Sequence, residues 1–507
     1  MASLLERYAD QIRGVLSCYD RVIIQGTVPG IGFAGGMTSY LKAHDIRVFD
    51  YARFAEPLRD QIRANAEQLA HAHGIEIEFV RRPDAFRKED RIRQVLDKRG
   101  EQPGLVHILS AMEACTTYRP WHDKTTHKTF LKRDSGKCLH YYFYFIDEEI
   151  GLGYVRVPTW CPFRLQVYFN GHNLLAAKLH RQGIEYKLVD NAFVDVADFA
   201  AAQKLSDRLD VAKLHRVLDR LADRFCPILD HFGVKYHWSL MQVEYATDIV
   251  FKSRDDLRDV YEVLTRTAIH VVKPEMVATF LGHKLTGNYR AELGSDFGTR
   301  IEGTRIKHHM GPASIKIYDK FGLVLRIETT ANDVSFFRHH RTVEHRDGEA
   351  EFKLAPLRKT IYSLDPDLRE LLAAANRRYL EFISDIDDPS AGLGALRKLC
   401  EGTEHDGRTY KGLNFFAERD LALLLALVRG ENTIAGIRNG DLRRHVLGAT
   451  TSQISHQLKR LRLHGVLKKV GRTYKYYLTE LGRRVVLAGL KLKEFVLIPA
   501  LAQPGTP

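Results

Sequence analysis

The sequence predicts a multidomain protein of mixed α+β and α/β class, and three observations lead to this class. Strand and helix patterns alternate over residues 1–110, which predicts an N-terminal parallel α/β sheet. Longer strands with alternating polarity follow, and they predict a central antiparallel β-rich α+β region. The last fifth of the chain is helical and basic. A length of 507 residues accommodates roughly two to four such domains.

The composition is that of an ordinary globular protein. Apolar residues make up 45% and charged residues 27% of the chain, which excludes a disordered or fibrous class. No apolar run reaches the ~18 residues that cross a bilayer, and Glu6 and Asp10 interrupt any N-terminal signal segment. The six cysteines form no C-x-x-C pair, so they predict neither a zinc ribbon nor a disulfide framework. We therefore expect a cytoplasmic protein with reduced thiols and no membrane partner.

The net charge of +13 is concentrated near the C-terminus. Residues 411–507 hold 17 Lys and Arg against 6 Asp and Glu, whereas the preceding 410 residues hold 59 against 57. A concentrated positive surplus indicates a polyanionic partner, and nucleic acid is the commonest one.

Four predicted regions follow one another along the chain. Residues 1–110 form the α/β domain, residues 111–350 the antiparallel β-rich domain, residues 351–410 a helical connector, and residues 411–495 a C-terminal unit. In the first region, short strand–helix–strand connections predict the parallel sheet. The predicted strands of this sheet are 21–25, 46–49, 75–80 and 105–109.

The pattern is clearest in the C-terminal unit. Three helices are predicted, at 418–429, 440–447 and 452–464, followed by a basic hairpin and a last helix. In the third helix an apolar stripe faces the core, so the opposite face is free to contact base edges and phosphates. The predicted nucleic-acid-binding residues of this helix are Gln453, His456, Gln457, Lys459 and Arg460. Those of the hairpin are Lys468, Arg472 and Lys475.

This order of helices, hairpin and helix resembles the winged helix-turn-helix of MarR- and ArsR-type regulators. The resemblance rests on I-S-x-x-L-x-x-L, followed by G-V-L and Y-x-L-T-x-x-G. It implies a domain that reads duplex DNA, while the competing interpretation is that the winged helix serves protein–protein contact.

A second candidate site lies on a hairpin of the central region. A three-residue turn at 320–322, which pairs Asp319 with Leu323, would separate apolar from polar side chains. The polar face then carries Tyr318 and Glu328 with two cations of the hairpin, and the upstream strand 304–309 can add two more, a set that suits a phosphodiester backbone. These predicted nucleic-acid-binding cations are Arg305, Lys307, Lys316 and Arg326. The competing interpretation is a solvated outer face of an antiparallel sheet.

The same hairpin is similar to a short motif of plasmid rolling-circle replication initiators. The motif is Y-D-K followed by a strand that ends R-x-E, here residues 318–320 and 326–328. The similarity implies Tyr318 as a nucleophile and Glu328 as a residue that helps to bind a metal.

Two further carboxylates lie on one face of the strand 236–251. Glu244 and Asp248 are ~13 Å apart at ~3.3 Å per residue, which is too far for one metal with ligand bonds of ~2 Å. Each therefore needs another partner, such as Glu328 or Asp147. The catalytic candidates are Tyr318, Glu328, Glu244 and Asp248, with solvated strand residues as the competing interpretation. The metal ligands stay unknown, and a divalent metal such as Mg²⁺ is expected only for a nuclease.

Several stretches together are similar to a bacterial family with a C-terminal winged helix. They are 138–142, 160–166, 244–248, 307–311, 318–320 and 326–329. The similarity implies a mobile-element or regulatory setting and carries over no active site.

The sequence thus favours a DNA-binding protein of a mobile element or replicon. Its winged helix would read duplex DNA, and its larger region would handle a nucleic-acid strand by nicking or strand transfer. Two alternatives stay open, a MarR-like transcriptional regulator without chemistry and a structured-RNA-binding protein. Single-stranded DNA or RNA as a partner and a homo-oligomer also stay open. The absence of G-x-S-x-G and G-x-x-x-x-G-K-[ST] disfavours serine hydrolases and P-loop NTPases.

Overall fold

The computed structural model describes most of the chain. The described residues are 4–81, 87–270, 272, 274–283, 293–300, 303–345, 347–385, 397–427, 436–446, 448–471 and 473–491. The chain divides into two compact units, residues 1–387 (unit 1) and 388–507 (unit 2). Among the described residues, no helix has the length and hydropathy needed to cross a membrane.

Unit 1 is organised around one open sheet of eleven described strands. They are β1 (Ile12–Thr27), β2 (Ile77–Phe79), β3 (Gly104–Asp123), β4 (Lys128–Asp147), β5 (Gly151–Pro158), β6 (Leu165–Asn170), β9 (His237–Phe251), β10 (Leu293–Arg300), β11 (Gly303–Met310), β12 (Ala313–Lys320) and β13 (Val324–Ala331). Their order across the sheet is β10-β11-β12-β13-β9-β1-β6-β5-β4-β3-β2. Two separate hairpins are β7 (Tyr186–Val189) with β8 (Ala192–Val196), and β14 (Arg338–Glu344) with β15 (Ala350–Pro356).

The predicted N-terminal parallel sheet is wrong. β2 and β3 form the only parallel pair among the described strands, whereas β1 runs antiparallel to both β6 and β9. The predicted strand at 46–49 is a short 3₁₀ turn, Val48–Asp50. Local strand–helix alternation misled the prediction because β1 pairs with strands more than 130 residues away in sequence. The predicted boundary at residue 110 falls inside β3, and the same sheet continues across it.

Helices cover the apolar face of this sheet and the two ends of its polar face. Those of unit 1 are α1 (Leu4–Arg7), α2 (Ala34–Ala43), α3 (Tyr51–His73), α4 (Lys88–Arg99), α5 (Gly171–Arg181), α6 (Phe199–Ser206), α7 (Val211–Phe225), α8 (Arg254–His270), α9 (Pro274–Phe280) and α10 (Arg369–Asp385). In α3 the buried positions recur every three to four residues, at Ala55, Leu58 and Ile62. They join the main core with Phe143 and Val22 of the sheet. Each fully buried Leu, Ile or Phe there contributes about 1.5–3 kcal/mol through the hydrophobic effect.

The opposite, polar face of the sheet is covered at its two ends. α5, α6 and the β7–β8 hairpin pack over β1, where Leu16 contacts a small core that contains Leu175 and Phe193. α4 packs over β3 and β4 through Ile92 and its apolar neighbours. Between these ends the side chains are partly exposed, and that of Arg21 is 44% exposed.

The β12–β13 hairpin has the predicted three-residue turn, displaced by one residue. The turn comprises residues 321–323, so Lys320 pairs with Val324 and Asp319 with Leu325. Phe321 and Gly322 both have positive φ, at 61° and 70°. The pairing is shifted by two residues from the prediction, and a shift of two preserves the faces. Lys316, Tyr318, Arg326 and Glu328 therefore share one face, as the sequence predicts.

Unit 2 contains helices and short hairpins in the predicted order. Its described elements are β16 (Thr403–His405), β17 (Arg408–Tyr410), α11 (Glu418–Leu427), α12 (Asn439–His445), α13 (Thr451–Leu463), β18 (Leu467–Lys469), β19 (Tyr476–Leu478) and α14 (Glu480–Lys491). Thr450 caps α13 by accepting from the backbone N–H of Gln453, and Gly465 follows the helix with φ 76°. Ile454, Leu458 and Leu461 of α13 are buried in a core of their own with α11 and α12. Ile437 pairs with Tyr476, which adds a third strand segment to the β18–β19 hairpin.

Candidate functional site

The four catalytic candidates lie in one cluster of charged side chains on the polar face of β1, β9, β12 and β13. Glu244 and Asp248 project from β9, and each has different partners, as the predicted ~13 Å separation along a strand requires. Tyr318 and Glu328 come from β12 and β13. The cluster has two halves, one enclosed and one that reaches the partly exposed middle of the face.

Arg326 is the centre of the enclosed half. Its guanidinium donates to both carboxylate oxygens of Asp248, each at 2.6 Å, and its Nη1 lies 3.4 Å from Asp20. It also donates to the backbone carbonyl of Asn191 in the β7–β8 turn at 2.6 Å. Arg326 is fully buried and Asp248 is 2% exposed, so this pair is shielded from water. It links β13 and β9 to the hairpin that covers them.

His172 closes the enclosed half from α5. Asn170 caps α5 through its side chain, which places His172 in the first turn and 1% exposed. Nε2 of His172 lies 2.9 Å from Arg326 and 3.4 Å from Asp248, and Nδ1 lies 3.2 Å from Asp20. Asp20 also accepts from the side-chain amides of Asn170 and Asn191. Arg326 Nη1 is buried and makes no hydrogen bond to any described residue, so the 3.4 Å contact with Asp20 is its charge partner. The contacts of this half link β1, β6, β9 and β13 to α5 and to the β7–β8 turn.

The second half is centred on Lys316. Its ammonium donates to Glu328 at 2.5 Å and to Glu244 at 3.1 Å. Tyr318 donates its hydroxyl proton to the other oxygen of Glu328 at 2.6 Å. Arg21 reaches Glu244 at 3.5 Å and connects this half to the exposed middle of the face.

The ionisation of these groups follows from burial and charge. Burial raises the pKa of Glu328, against the opposing effect of Lys316. Burial works against the charge of Lys316, but Glu328 and Glu244 outweigh it and raise the pKa of that ammonium. Burial also holds the pKa of Tyr318 well above its ordinary value. At neutral pH the cluster therefore contains a charged lysine and a protonated phenol, and both contact the carboxyl group of Glu328.

Sequence reasoning missed Asp20, which the fold brings to the cluster through a β-bulge. β1 pairs Tyr19 with Tyr245 and Val22 with Val243, so two residues, Asp20 and Arg21, lie opposite Glu244. A bulge redirects a side chain that regular alternation would send to the other face. Nothing in the sequence around Asp20 signals it. For His172, the Asn-Gly pair before it is compatible with a helix cap but indicates no role.

Three carboxylates of the cluster could offer oxygen ligands to one cation. One oxygen each of Asp20, Glu244 and Glu328 lies within 4.8 Å of the others. However, Lys316 already lies between Glu244 and Glu328, and Arg326 already faces Asp20. The donor set therefore fits protein cations better than Mg²⁺, and we derive no step through a metal.

The predicted phosphate-binding cations of the sheet are only partly suited to that role. Lys316 and Arg326 are not free to bind a phosphodiester backbone, because carboxylates neutralise both and Arg326 is fully buried. Arg305 and Lys307 of β11 are half-buried, and Lys307 pairs with Lys316 across the strands. The competing expectation of a solvated face also fails here, since Glu328 is 2% exposed. Both predictions fail at these residues because segments distant in sequence, β1 and the β7–β8 hairpin, lie against the cluster and supply partners for its charges.

In unit 2, Arg460 does not lie on the exposed face of α13. Its guanidinium forms a two-pronged ion pair with Asp420 of α11, with both contacts at 2.8 Å. It also donates to the backbone carbonyls of Lys411 and Gly412. Arg460 is 7% exposed and cannot reach a base edge without breaking these contacts. The prediction that Arg460 contacts a base edge is therefore wrong. Arg460 lies next to the buried stripe that contains Leu458, and its side chain packs against α11 instead of facing solvent.

The other candidates of α13 have intramolecular partners of their own. The Gln453 side chain completes the N-terminal cap, and Gln457 accepts from Arg460 at 3.0 Å. His456 stacks on Tyr410 with a centroid distance of 5.0 Å, and Lys459 pairs with Asp406 at 3.1 Å. Despite these contacts, the side chains of Gln453, His456 and Lys459 remain accessible to solvent.

The hairpin presents its cations more openly. Lys468 and Lys469 of β18 are exposed, Lys475 is half-buried, and Tyr474 is 82% exposed. Lys469 lies over the ring of Tyr474 at 5.6 Å. Arg472, also predicted to bind nucleic acid, lies outside the described residues.

Fold and site together define the class of the protein. Unit 1 is an α+β unit with a large mixed sheet and a buried ion network, and unit 2 is a basic helical unit with a small hairpin. No protein-family model, curated protein or solved structure matches the chain. The function is therefore argued from the residues themselves.

Proposed function

We propose that the chain is a DNA-binding protein in which α11–α14 and the β18–β19 hairpin act as a winged helix on duplex DNA. The order of helices and hairpin supports this proposal, with α13 as the recognition helix and the hairpin as the wing. The mobile-element or replicon setting rests on the sequence resemblance alone.

The observation that carries the proposal is the placement of charge in unit 2. Residues 388–507 hold 20 Lys and Arg against 10 Asp and Glu, while residues 1–387 hold 56 against 53. Several of these cations are exposed, namely Arg444, Arg462, Lys468 and Lys469. Such side chains neutralise phosphates, and their number determines how steeply binding falls with salt.

Replacing Lys468 and Lys469 with Ala should weaken duplex binding and flatten its salt dependence. Each lost phosphate contact lowers the slope of log K against log[salt] by about 0.9, so the pair should lower it by about 2. Fluorescence anisotropy of a labelled duplex, titrated from low to physiological salt, measures both quantities. The matched control is Lys42→Ala with Lys98→Ala, which removes two exposed lysines from the helices α2 and α4 of unit 1. Equal slopes for the two double variants would contradict a role of the hairpin as the wing.

A second candidate function is strand cleavage in unit 1, and the contact of Tyr318 with Glu328 favours it. In that reaction the Tyr318 oxygen bonds to phosphorus while the bond from phosphorus to the 3′ oxygen breaks. Glu328 takes the phenol proton, and Lys316 donates a proton to the departing 3′ oxygen. The products are a 5′-phosphotyrosine and a free 3′ hydroxyl. Tyr318 is 7% exposed, so a strand reaches the phenol only after neighbouring side chains move aside.

Tyr318→Phe should abolish the covalent adduct, and Glu328→Gln should slow its formation by about 10²–10⁴-fold through loss of the base. The measurement is nicking of supercoiled plasmid with Mg²⁺ or Mn²⁺, with the adduct detected by labelled DNA that stays with denatured protein. Tyr379→Phe is the matched control, since it removes another buried phenol, one that hydrogen-bonds His308 at 3.0 Å. If wild-type protein binds DNA but forms no adduct, the cluster is structural and the non-enzymatic regulator is favoured. Preference for a folded RNA over duplex DNA would favour the RNA-binding alternative.

A further inference from the structure

A cavity of about 160 Å³ lies on the same polar face of the sheet as the cluster just described. It is bounded by β1, β3, β4, β5, β6 and the loop after β5. Pockets for drug-sized ligands measure about 300–1,000 Å³, so this one admits a single base or phosphate group. Its lining residues include Gln25, His140, Arg156, Trp160, Arg164 and Gln166.

The lining combines positive charge with both kinds of hydrogen-bonding group. Among the described residues no carboxylate lies within ion-pair distance of Arg164, whose Nη2 donates to the Gly32 carbonyl. Burial and the nearby Arg156 lower the pKa of His140 to about 4, so its ring is neutral. Nδ1 of His140 donates to the Cys138 carbonyl at 3.1 Å, which leaves Nε2 as an acceptor. The cavity thus offers an acceptor, amide groups and an uncompensated cation beside the Trp160 indole.

An aromatic and cationic stack leads from the cavity to the cluster. Gln166 and Tyr168 occupy successive positions on the same face of β6. Arg21 lies over the Tyr168 ring at 5.6 Å, and Tyr154 stacks on the same ring with a centroid distance of 5.0 Å. Arg21 in turn contacts Glu244 at 3.5 Å. Across the sheet, β6 and β9 are two strand spacings apart, or about 10 Å. Glu244 also lies five residues along β9 from Ser239, the partner of Gln25, which adds about 16 Å. Several nucleotides are needed to span this path.

We propose that this surface is a single-stranded nucleic-acid site in which one base enters the cavity and the next stacks on Arg21, at the end of the row formed by Tyr154, Tyr168 and Arg21. The backbone then passes over Arg21, the cation that reaches the partly exposed middle of the face. This inference rests on the proposed function. It specifies that unit 1 binds single-stranded nucleic acid and that the cavity holds one base. Aromatic and Arg platforms accept any base face, and the amides and His140 supply hydrogen bonds to one edge.

Trp160 gives a direct readout of this site. The chain has three tryptophans, of which Trp238 is 2% exposed and Trp121 is 38% exposed. A single-stranded oligonucleotide of mixed sequence should quench the fluorescence of wild-type protein and of Trp121→Phe, but not that of Trp160→Phe. An oligonucleotide of the same length made of abasic nucleotides should bind more weakly and leave the Trp160 fluorescence unquenched. Undiminished quenching in Trp160→Phe, or equal quenching by the abasic chain, would overturn the base-binding cavity.

Arg164→Gln tests the charge of the cavity. We expect about tenfold weaker binding of the single strand, because the cavity that holds the base and its phosphate loses an uncompensated cation. Arg47→Gln is the matched control, since Arg47 is 83% exposed and contacts Asp50 at the surface. Both are measured in the Lys468→Ala, Lys469→Ala background, so that loss of duplex binding by unit 2 is separated from loss of this site. Equal affinities for Arg164→Gln and Arg47→Gln would refute the proposal, whatever the duplex result.

Discussion

Arg326→Met is expected to destabilise unit 1 by about 3–5 kcal/mol, because it leaves two buried carboxylates without their cation. Asp248 loses both of its 2.6 Å contacts, and Asp20 loses the guanidinium at 3.4 Å. Such a loss is a large part of the 5–15 kcal/mol that typically stabilises a folded protein. Methionine roughly preserves the volume of the side chain, so the effect reports charge and hydrogen bonding rather than a cavity.

Urea unfolding followed by tryptophan fluorescence measures this effect, since Trp238 on β9 is 2% exposed. The matched control is Arg93→Met, which removes an exposed arginine paired with Asp190 at 3.4 Å and should cost less than about 1 kcal/mol. Combining Arg326→Met with Asp248→Leu should cost less than the sum of the two single changes, because the variants share one interaction. If the losses in the free energy of unfolding were strictly additive, the Arg326–Asp248 pair would contribute little to stability.

The difference in stability between wild type and Arg326→Met depends on pH, and its sign follows from the pKa of Asp248. Burial raises the pKa of Asp248, but Arg326 outweighs burial and holds it below the ordinary value of 3.8. A carboxyl with a lowered pKa contributes stability that is present above 3.8 and is lost as pH falls through its folded value. Wild type and Arg326→Met should therefore differ fully near neutral pH and converge in acid, below pH 3.8.

Arg460→Ala is expected to destabilise unit 2 by about 3 kcal/mol rather than to alter base recognition. The change leaves Asp420, which is 9% exposed, without its two 2.8 Å contacts, and it frees the carbonyls of Lys411 and Gly412. Hydrogen exchange of the full-length chain, read over residues 451–469, should show faster exchange throughout α13 and β18.

Lys459→Ala is the control for this change, because the neighbouring Lys459 pairs with Asp406 at the surface of unit 2. It should leave hydrogen exchange nearly unchanged. If Arg460→Ala kept native exchange protection and lost duplex affinity at a single base position, the side chain would read DNA after all, and its buried position would be contradicted.

The local periodicity of the sequence determined most helices and strands. The apolar spacing in α3 and the cap at Thr450 both depend on residues a few positions apart. The shared face of Lys316, Tyr318, Arg326 and Glu328 was also predictable, because a register error of two residues keeps every side chain on its face. The sequence likewise determined the charge of residues 411–507, since composition needs no fold.

Only the tertiary structure decided which charged residues meet. Asp20 reaches Arg326 through a bulge opposite Glu244, and Asn191 reaches it from a hairpin 135 residues away in sequence. Arg460 is drawn into an ion pair with Asp420 across the core of unit 2. The physical reason is that pairing of distant segments depends on the balance of many burial and desolvation energies, whereas local alternation depends only on backbone geometry. The same reason explains why a strand–helix pattern in the first 110 residues contributes to an almost wholly antiparallel sheet.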